Sequence, residues 1–236
     1  MRHLSPSGLA LTVLLIAVAG CSAPEPPPPS EPTFTEMNKV ALMEQHYVAA
    51  ITAHDMLIRN DLPSFRKHLA ELATQSLPDH APATWAAGHE KMQTAAARAA
   101  DAKTLAASGA VMGSIVEACG SCHEALGQGP VYREPAPPTS DDPLKERMLA
   151  HQWATERLWE GVTDPWDDAW RRGAQAVAKS AVFPPDAPPA QLEQEKALRA
   201  AGDDAMLATT LSARAQSYGR VLATCAGCHG QGSSTD

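Results

Sequence analysis

The sequence predicts an all-α protein of two tandem four-helix bundles, each with a Cys-x-x-Cys-His motif at the end of its fourth helix. Three observations support this. Alanine is abundant while aromatic residues make up only 5% of the chain, which disfavours an all-β fold. The chain repeats itself: an offset of 105 places Met43 on Met148, His46 on His151, Phe65 on Trp170, Arg66 on Arg171 and Ala73 on Ala178. An offset of 106 then places Leu105 on Leu211, Gly113 on Gly219, Ile115 on Val221 and Val116 on Leu222, and superimposes the two motifs. Finally, Leu105, Met112, Ile115, Val116 and Cys119 fall on or near one stripe at helical spacing.

Taken in order, residues 1–20 have the layout of an export signal, with Arg2 and His3 followed by the apolar run Leu9 to Ala19. That run is too short to cross a bilayer comfortably. Residues 21–33 form a tether in which Pro24, Pro26, Pro27, Pro28, Pro29 and Pro32 favour an extended polyproline II spacer, reaching roughly 35–40 Å at about 3.1 Å per residue. Residues 34–124 form unit one. Thr33 and Glu36 have capping-box spacing and open a helix to about Arg59, and Asp61 with Pro63 starts the second. Leu77 to Pro82 is a break, a third helix covers about Ala83 to Ala102, and the fourth runs from about Thr104 into the motif.

Residues 125–139, with Pro130, Pro135, Pro137 and Pro138, form a linker. In unit two, residues 140–230, Ser140 or Asp141 starts a helix to about Val162, and Asp164 with Pro165 starts the next. Phe183 to Pro189 is a proline-rich break, and two further helices divide near Gly202-Asp203-Asp204. Residues 231–236 are a tail. Short connections imply antiparallel neighbours and up-and-down bundles. Trp153, Trp159, Trp166 and Trp170 read as core, and Arg66-Lys67 and Arg171-Arg172 as a solvated helix face.

The motifs Cys119-Gly120-Ser121-Cys122-His123 and Cys225-Ala226-Gly227-Cys228-His229 carry the chemistry. Cys-x-x-Cys-His is the pattern of c-type haem attachment. On a helix, two cysteines three apart and a histidine four from the first share a face, so two thioethers and an imidazole can converge on one macrocycle. A bare Cys-x-x-Cys could equally be half a zinc site or a redox dithiol. Two copies, each completed by histidine, point to two covalently bound c-type haems. The fifth cysteine, Cys21, closes the leader, so none remains for a structural disulfide. A net charge of -8 without a basic stripe argues against nucleic-acid binding. No nucleophile triad, phosphate loop or metal-carboxylate cluster is evident.

Val18-Ala19-Gly20-Cys21 resembles the lipobox of bacterial lipoproteins. This resemblance implies lipidation at Cys21, and Ser22 after it implies sorting to the outer membrane. Export is where c-type haem is ligated in similar systems, so the folded part is expected to face the periplasm from a lipid anchor.

Over residues 34–124 and 140–230 the chain resembles the class II cytochromes c, the cytochrome c prime group and its low-spin relatives. The likeness rests on motif position, helix count and duplication. It implies that Cys119 and Cys122 hold one haem with His123 as proximal iron ligand, and that Cys225, Cys228 and His229 do the same for the second. In that pattern the distal side faces the first helix, which here carries Met43 and His46 in unit one and Met148 and His151 in unit two. Both residue types ligate haem iron. His46 is the histidine that recurs, as His151, which favours this pair as distal ligands. Met43 and Met148 are the rivals, and an open iron is the remaining alternative.

Bis-histidine ligation implies a carrier of single electrons between a redox protein donor and acceptor, not an enzyme. The competing expectation is a dihaem peroxidase or a binder of nitric oxide or carbon monoxide, with at least one five-coordinate iron. A third is an electron-transfer subunit of a larger complex.

Overall fold

The computed structural model describes residues 34–79, 81–133 and 135–231. The leader, Cys21, the tether, Thr33 and the last five residues of the tail lie outside the described residues. Among those described there are eight α-helices and no strands, so the all-α expectation holds.

Helix α1 (Phe34–Ile58) ends where Asn60 takes a left-handed φ of 59° and the amide of Asp61 reaches back to the Met56 carbonyl, 2.8 Å. Asparagine tolerates that conformation, and the back-bond satisfies a carbonyl the helix end would orphan. Asp61 immediately caps α2 (Leu62–Thr74) by accepting from the Ser64 amide at 3.1 Å. After the expected break, α3 (Ala86–Ala97) is flanked by short 3-10 turns over 83–85 and 98–101. Thr104 caps α4 (Leu105–Leu126), which closes on Gly127 at φ +59°.

Asp142, one or two residues later than expected, caps α5 (Pro143–Thr163), because its carboxylate can reach the amides of Leu144 and Lys145 while Pro143 occupies the first turn. Helix α6 (Asp167–Ala178) likewise starts after Asp164-Pro165, with Trp166 at its cap position. A clearer departure is α7 (Pro189–Leu207), which runs unbroken through Gly202-Asp203-Asp204. Gly202 marks a close approach and not a break: a Cβ there would lie 2.3 Å from the Ala178 amide nitrogen. The chain turns instead at 208–210, and Thr210 accepts from the Ala213 amide to open α8 (Leu211–Gln231).

Helices α1 to α4 pack in sequence order, as do α5 to α8, yet the most extensive contact in the molecule joins the two halves, α4 against α8. These two cross antiparallel with almost no side chain between them. A Cβ on Gly109 would lie 2.2 Å from the Gly219 carbonyl oxygen, one on Gly219 would lie 2.3 Å from that of Gly109, and one on Gly113 would lie 2.4 Å from that of Ala215. Helix α4 is long and apolar enough to cross a membrane, but half of that stretch is buried inside the protein, as befits a central helix. One hydrophobic core spans both halves, from Phe65, Leu69, Leu72, Met112 and Ile115 to Leu158, Val162, Trp170, Tyr218 and Leu222. Trp153, Trp159 and Trp170 are buried, as expected, and Trp166 is half-buried. Arg171 pairs with exposed Asp168 at 2.7 Å on the solvated face.

Candidate functional site

Both motifs lie on the last turns of α4 and α8, so helical geometry sets each pair of thiols on one side. All four cysteines are free. Burial first, and then the charge of the motif partner, pushes the thiols of Cys119 and Cys225 up to about 12. Burial also raises Cys122, against the pull of Lys91, and Cys228. A redox dithiol needs a thiol lowered toward neutrality, and these move the other way. No group of three or more His, Cys, Asp or Glu is arranged to hold a metal ion among the described residues. The zinc and dithiol alternatives therefore gain no support from the geometry.

His123 is fixed from across the molecule. Its Nδ1–H donates to the carbonyl of Thr163 at the end of α5, 2.6 Å away. That bond defines the tautomer and leaves Nε2 with a lone pair, the arrangement in which histidine ligates metal. Asp164, beside it, is raised by burial and pulled down by His123. The Thr163 hydroxyl donates to the Trp159 carbonyl at 3.0 Å and accepts from the Tyr132 hydroxyl at 2.9 Å, so the linker residue Tyr132 holds this corner. Burial pushes the Tyr132 phenol up to about 12.

His229, by contrast, is exposed on α8. The charge of His229 reaches His151, whose imidazole is lowered first by burial, with Glu195 acting to raise it and His229 to lower it. The structure thus brings His151 and His229 into electrostatic reach. The Nε2 of His151 is hydrogen-bonded to the hydroxyl of Ser180, after α6.

In the first half the arrangement differs. His46 is buried on α1, and its ring meets His89 of α3 at a centroid distance of 5.3 Å. The Nε2 atoms of both are buried without a partner. Burial, and then the charge of His89, lowers His46 to about 4. The neighbour of His89, Gly88, packs on the motif, since a Cβ there would lie 2.6 Å from the Cys122 sulfur. His46 and Cys122 therefore share the α3 side of the site, while His123 turns to α5. Met43 is half-buried near His46, and Met148 packs against the core.

Several of these residues were not expected from sequence. His89 aligns at an offset of 106 with Glu195, so the position beside the buried first-helix histidine is occupied in both halves, by different chemistry. The partnership of His123 with Thr163 leaves no sequence trace, because the acceptor is backbone. A groove of about 670 Å³ between α4, α7 and α8, walled largely by alanine and glycine, holds none of the motif residues.

The donor set fits a c-type haem: two pairs of free, protonated thiols, each followed by a histidine, one of them with its tautomer fixed for ligation. Compared with known proteins, no family model, no curated protein and no solved structure matches this chain.

Proposed function

We propose that this chain is a dihaem c-type cytochrome that carries single electrons between redox protein partners. In this reading two tandem four-helix units each hold one haem, facing the periplasm from a lipid anchor at Cys21 and probing partners across the length of the proline-rich tether. A bound haem would supply one-electron exchange at its iron. The supporting observation is the His123 side chain: a Cys-x-x-Cys-His histidine whose Nδ1 proton is committed to a carbonyl, so that Nε2 is the donor. Cys119 and Cys122, and likewise Cys225 and Cys228, would form the thioethers. His123 and His229 would be the proximal donors, with His46 and His151 on the distal side. Burial of His46 and His151 keeps both imidazoles neutral near pH 7, the state that donates to a metal.

The test is production in a host that matures c-type cytochromes, with haem counted per chain, followed by absorption and paramagnetic resonance spectra. Two haems, low-spin spectra and little response of the reduced form to carbon monoxide are expected. His46→Ala and His151→Ala should each convert one site to high spin. A chain that takes up no covalent haem refutes the proposal.

One observation favours the rival reading for the first half. Buried His46 and half-buried His89 present imidazoles whose Nε2 atoms are enclosed without a partner, and Gly88 beside His89 packs on Cys122; acid-base groups beside an open iron are what a peroxidase needs. Turnover of hydrogen peroxide together with a high-spin component would favour it.

A further inference from the structure

The two motifs differ in one respect that follows from a single side chain. At Gly120 the absence of a Cβ lets α5 come onto α4: a Cβ there would lie 2.0 Å from the Val162 carbonyl oxygen. The next carbonyl along α5 is that of Thr163, the acceptor of the His123 Nδ1 proton. The equivalent of Gly120 in the second motif is Ala226, fully buried, so a methyl group stands there in place of a hydrogen. There the histidine, His229, is exposed, and among the described residues it makes no hydrogen bond of this kind.

We infer that Gly120, the Thr163 carbonyl and the Tyr132 hydroxyl are a positioning set, contributed largely by the second half of the chain and the linker, that orients His123 and makes the two motifs chemically unequal. The inference rests on the haem reading for its redox consequence and on geometry alone for the hydrogen bond. A carbonyl that accepts the Nδ1 proton of a ligating histidine makes its Nε2 a stronger donor. Stronger donation favours the oxidised over the reduced metal. The His123 site therefore takes the lower reduction potential and the His229 site the higher, so an electron entering at the first rests at the second. The acceptor carbonyl also lies in the last turn of α5, where unpaired carbonyls give the helix end a partial negative charge that acts in the same direction. The second half reaches His123 through one hydrogen bond, from the imidazole to the Thr163 carbonyl. Tyr132 secures the Thr163 side chain, and Gly120 sets the spacing of the backbone.

Two measurements on the full chain test this. In the reduced protein, with nitrogen-15 in its histidines, the Nδ1–H resonance of His123 should exchange with solvent roughly tenfold more slowly than that of His229. A redox titration should resolve two unequal one-electron steps. Gly120→Ala, which must push α5 off α4, should speed the His123 exchange and raise only the lower step, shrinking the gap. Tyr132→Phe is the gentler variant and should act in the same direction on exchange, so the question remains decidable if Gly120→Ala does not fold. Equal exchange of the two histidines in the parent protein overturns the inference. So does a gap that survives loss of the His123 bond. If no haem is attached, the functional proposal fails, but the exchange comparison on the haem-free chain still decides the hydrogen bond.

Discussion

Gly109→Ala should destabilise the protein, although alanine is the better helix former. The gain from replacing glycine inside a helix is about 1 kcal/mol. Against it, the new Cβ would lie 2.2 Å from the Gly219 carbonyl oxygen, 3.1 Å from its carbon and 3.2 Å from the Ala223 Cβ. An ordinary carbon-oxygen contact needs about 1 Å more, and the obstructing atom belongs to backbone that cannot rotate away. The helices must separate along the contact that joins the two halves. Overpacking of this kind costs about 1–3 kcal/mol, and loosened neighbours in the crossing add to it. The net loss is about 1–2 kcal/mol, and at about 2–4 °C per kcal/mol the melting temperature should fall by several degrees. Thermal unfolding followed by circular dichroism measures it, with Gly227→Ala as the contrast. The nearest atom to a Cβ at 227 is Leu105 Cδ1 at 4.0 Å, so that variant should be neutral or gain up to about 1 kcal/mol. Gly109→Ala combined with Gly219→Ala should be less than additive, because once the crossing has opened the second methyl costs less. A neutral or stabilising Gly109→Ala, or strict additivity of the pair, would refute the close crossing of α4 and α8.

Two further predictions concern pH. Glu160, paired with Arg157 in the interior of α5, is pushed by burial to about 7 from an ordinary 4.5, Arg157 pulling the other way. A raised carboxyl favours the folded state most below 4.5, and that contribution is lost as pH rises through about 7. The parent should therefore lose thermal stability across this range and Glu160→Gln should flatten the slope, whereas an unchanged slope would place its origin elsewhere. His46 is the opposite case. Its imidazole is lowered from 6.5 to about 4, so its contribution is complete above 6.5 and is lost as pH falls toward 4. The haem-free chain should weaken over that interval, and His46→Gln should weaken less; equal acid sensitivity of the two would contradict the burial of this histidine.

Helix ends were legible where a side chain caps them. Asp61 with Pro63, and Thr104, mark their positions because a carboxylate or hydroxyl beside a short apolar period has few other uses. Ser140, Asp141 and Asp142 could each have served, and only packing selects the third. Gly202 was misleading for a different reason: glycine that breaks a helix and glycine that admits a neighbouring backbone look identical in one dimension. At the motifs, residue spacing sufficed to single out Cys119, Cys122, His123, Cys225, Cys228 and His229. It could not show that His46 lies against His89, because that contact joins α1 and α3 and the position of His89 is filled by glutamate in the other repeat.

The repeat explains why the two halves interlock. Under the offset of 106, Gly109 corresponds to Ala215 and Gly113 to Gly219. In the structure Gly109 meets Gly219 and Gly113 meets Ala215, so each position touches the equivalent of the other. That reciprocity is the signature of an isologous, two-fold contact, here made within one chain. His54 and Trp159 are equivalent under the offset of 105, and their rings meet each other, centroids 5.9 Å apart, as residues near a two-fold axis must. Such an axis also relates the packing of α5 on α4 to that of α1 on α8, so the end of α5 reaches His123 and Asn60, just beyond α1, comes against Gly230 of α8. Symmetry alone would give two identical motifs. The differences sit where the repeats have diverged at these contacts: Gly120 against Ala226, His89 against Glu195, His54 against Trp159. Two halves of this kind can therefore differ around their motifs without altering a single motif cysteine or histidine, because the carbonyl that orients His123 belongs to the other half.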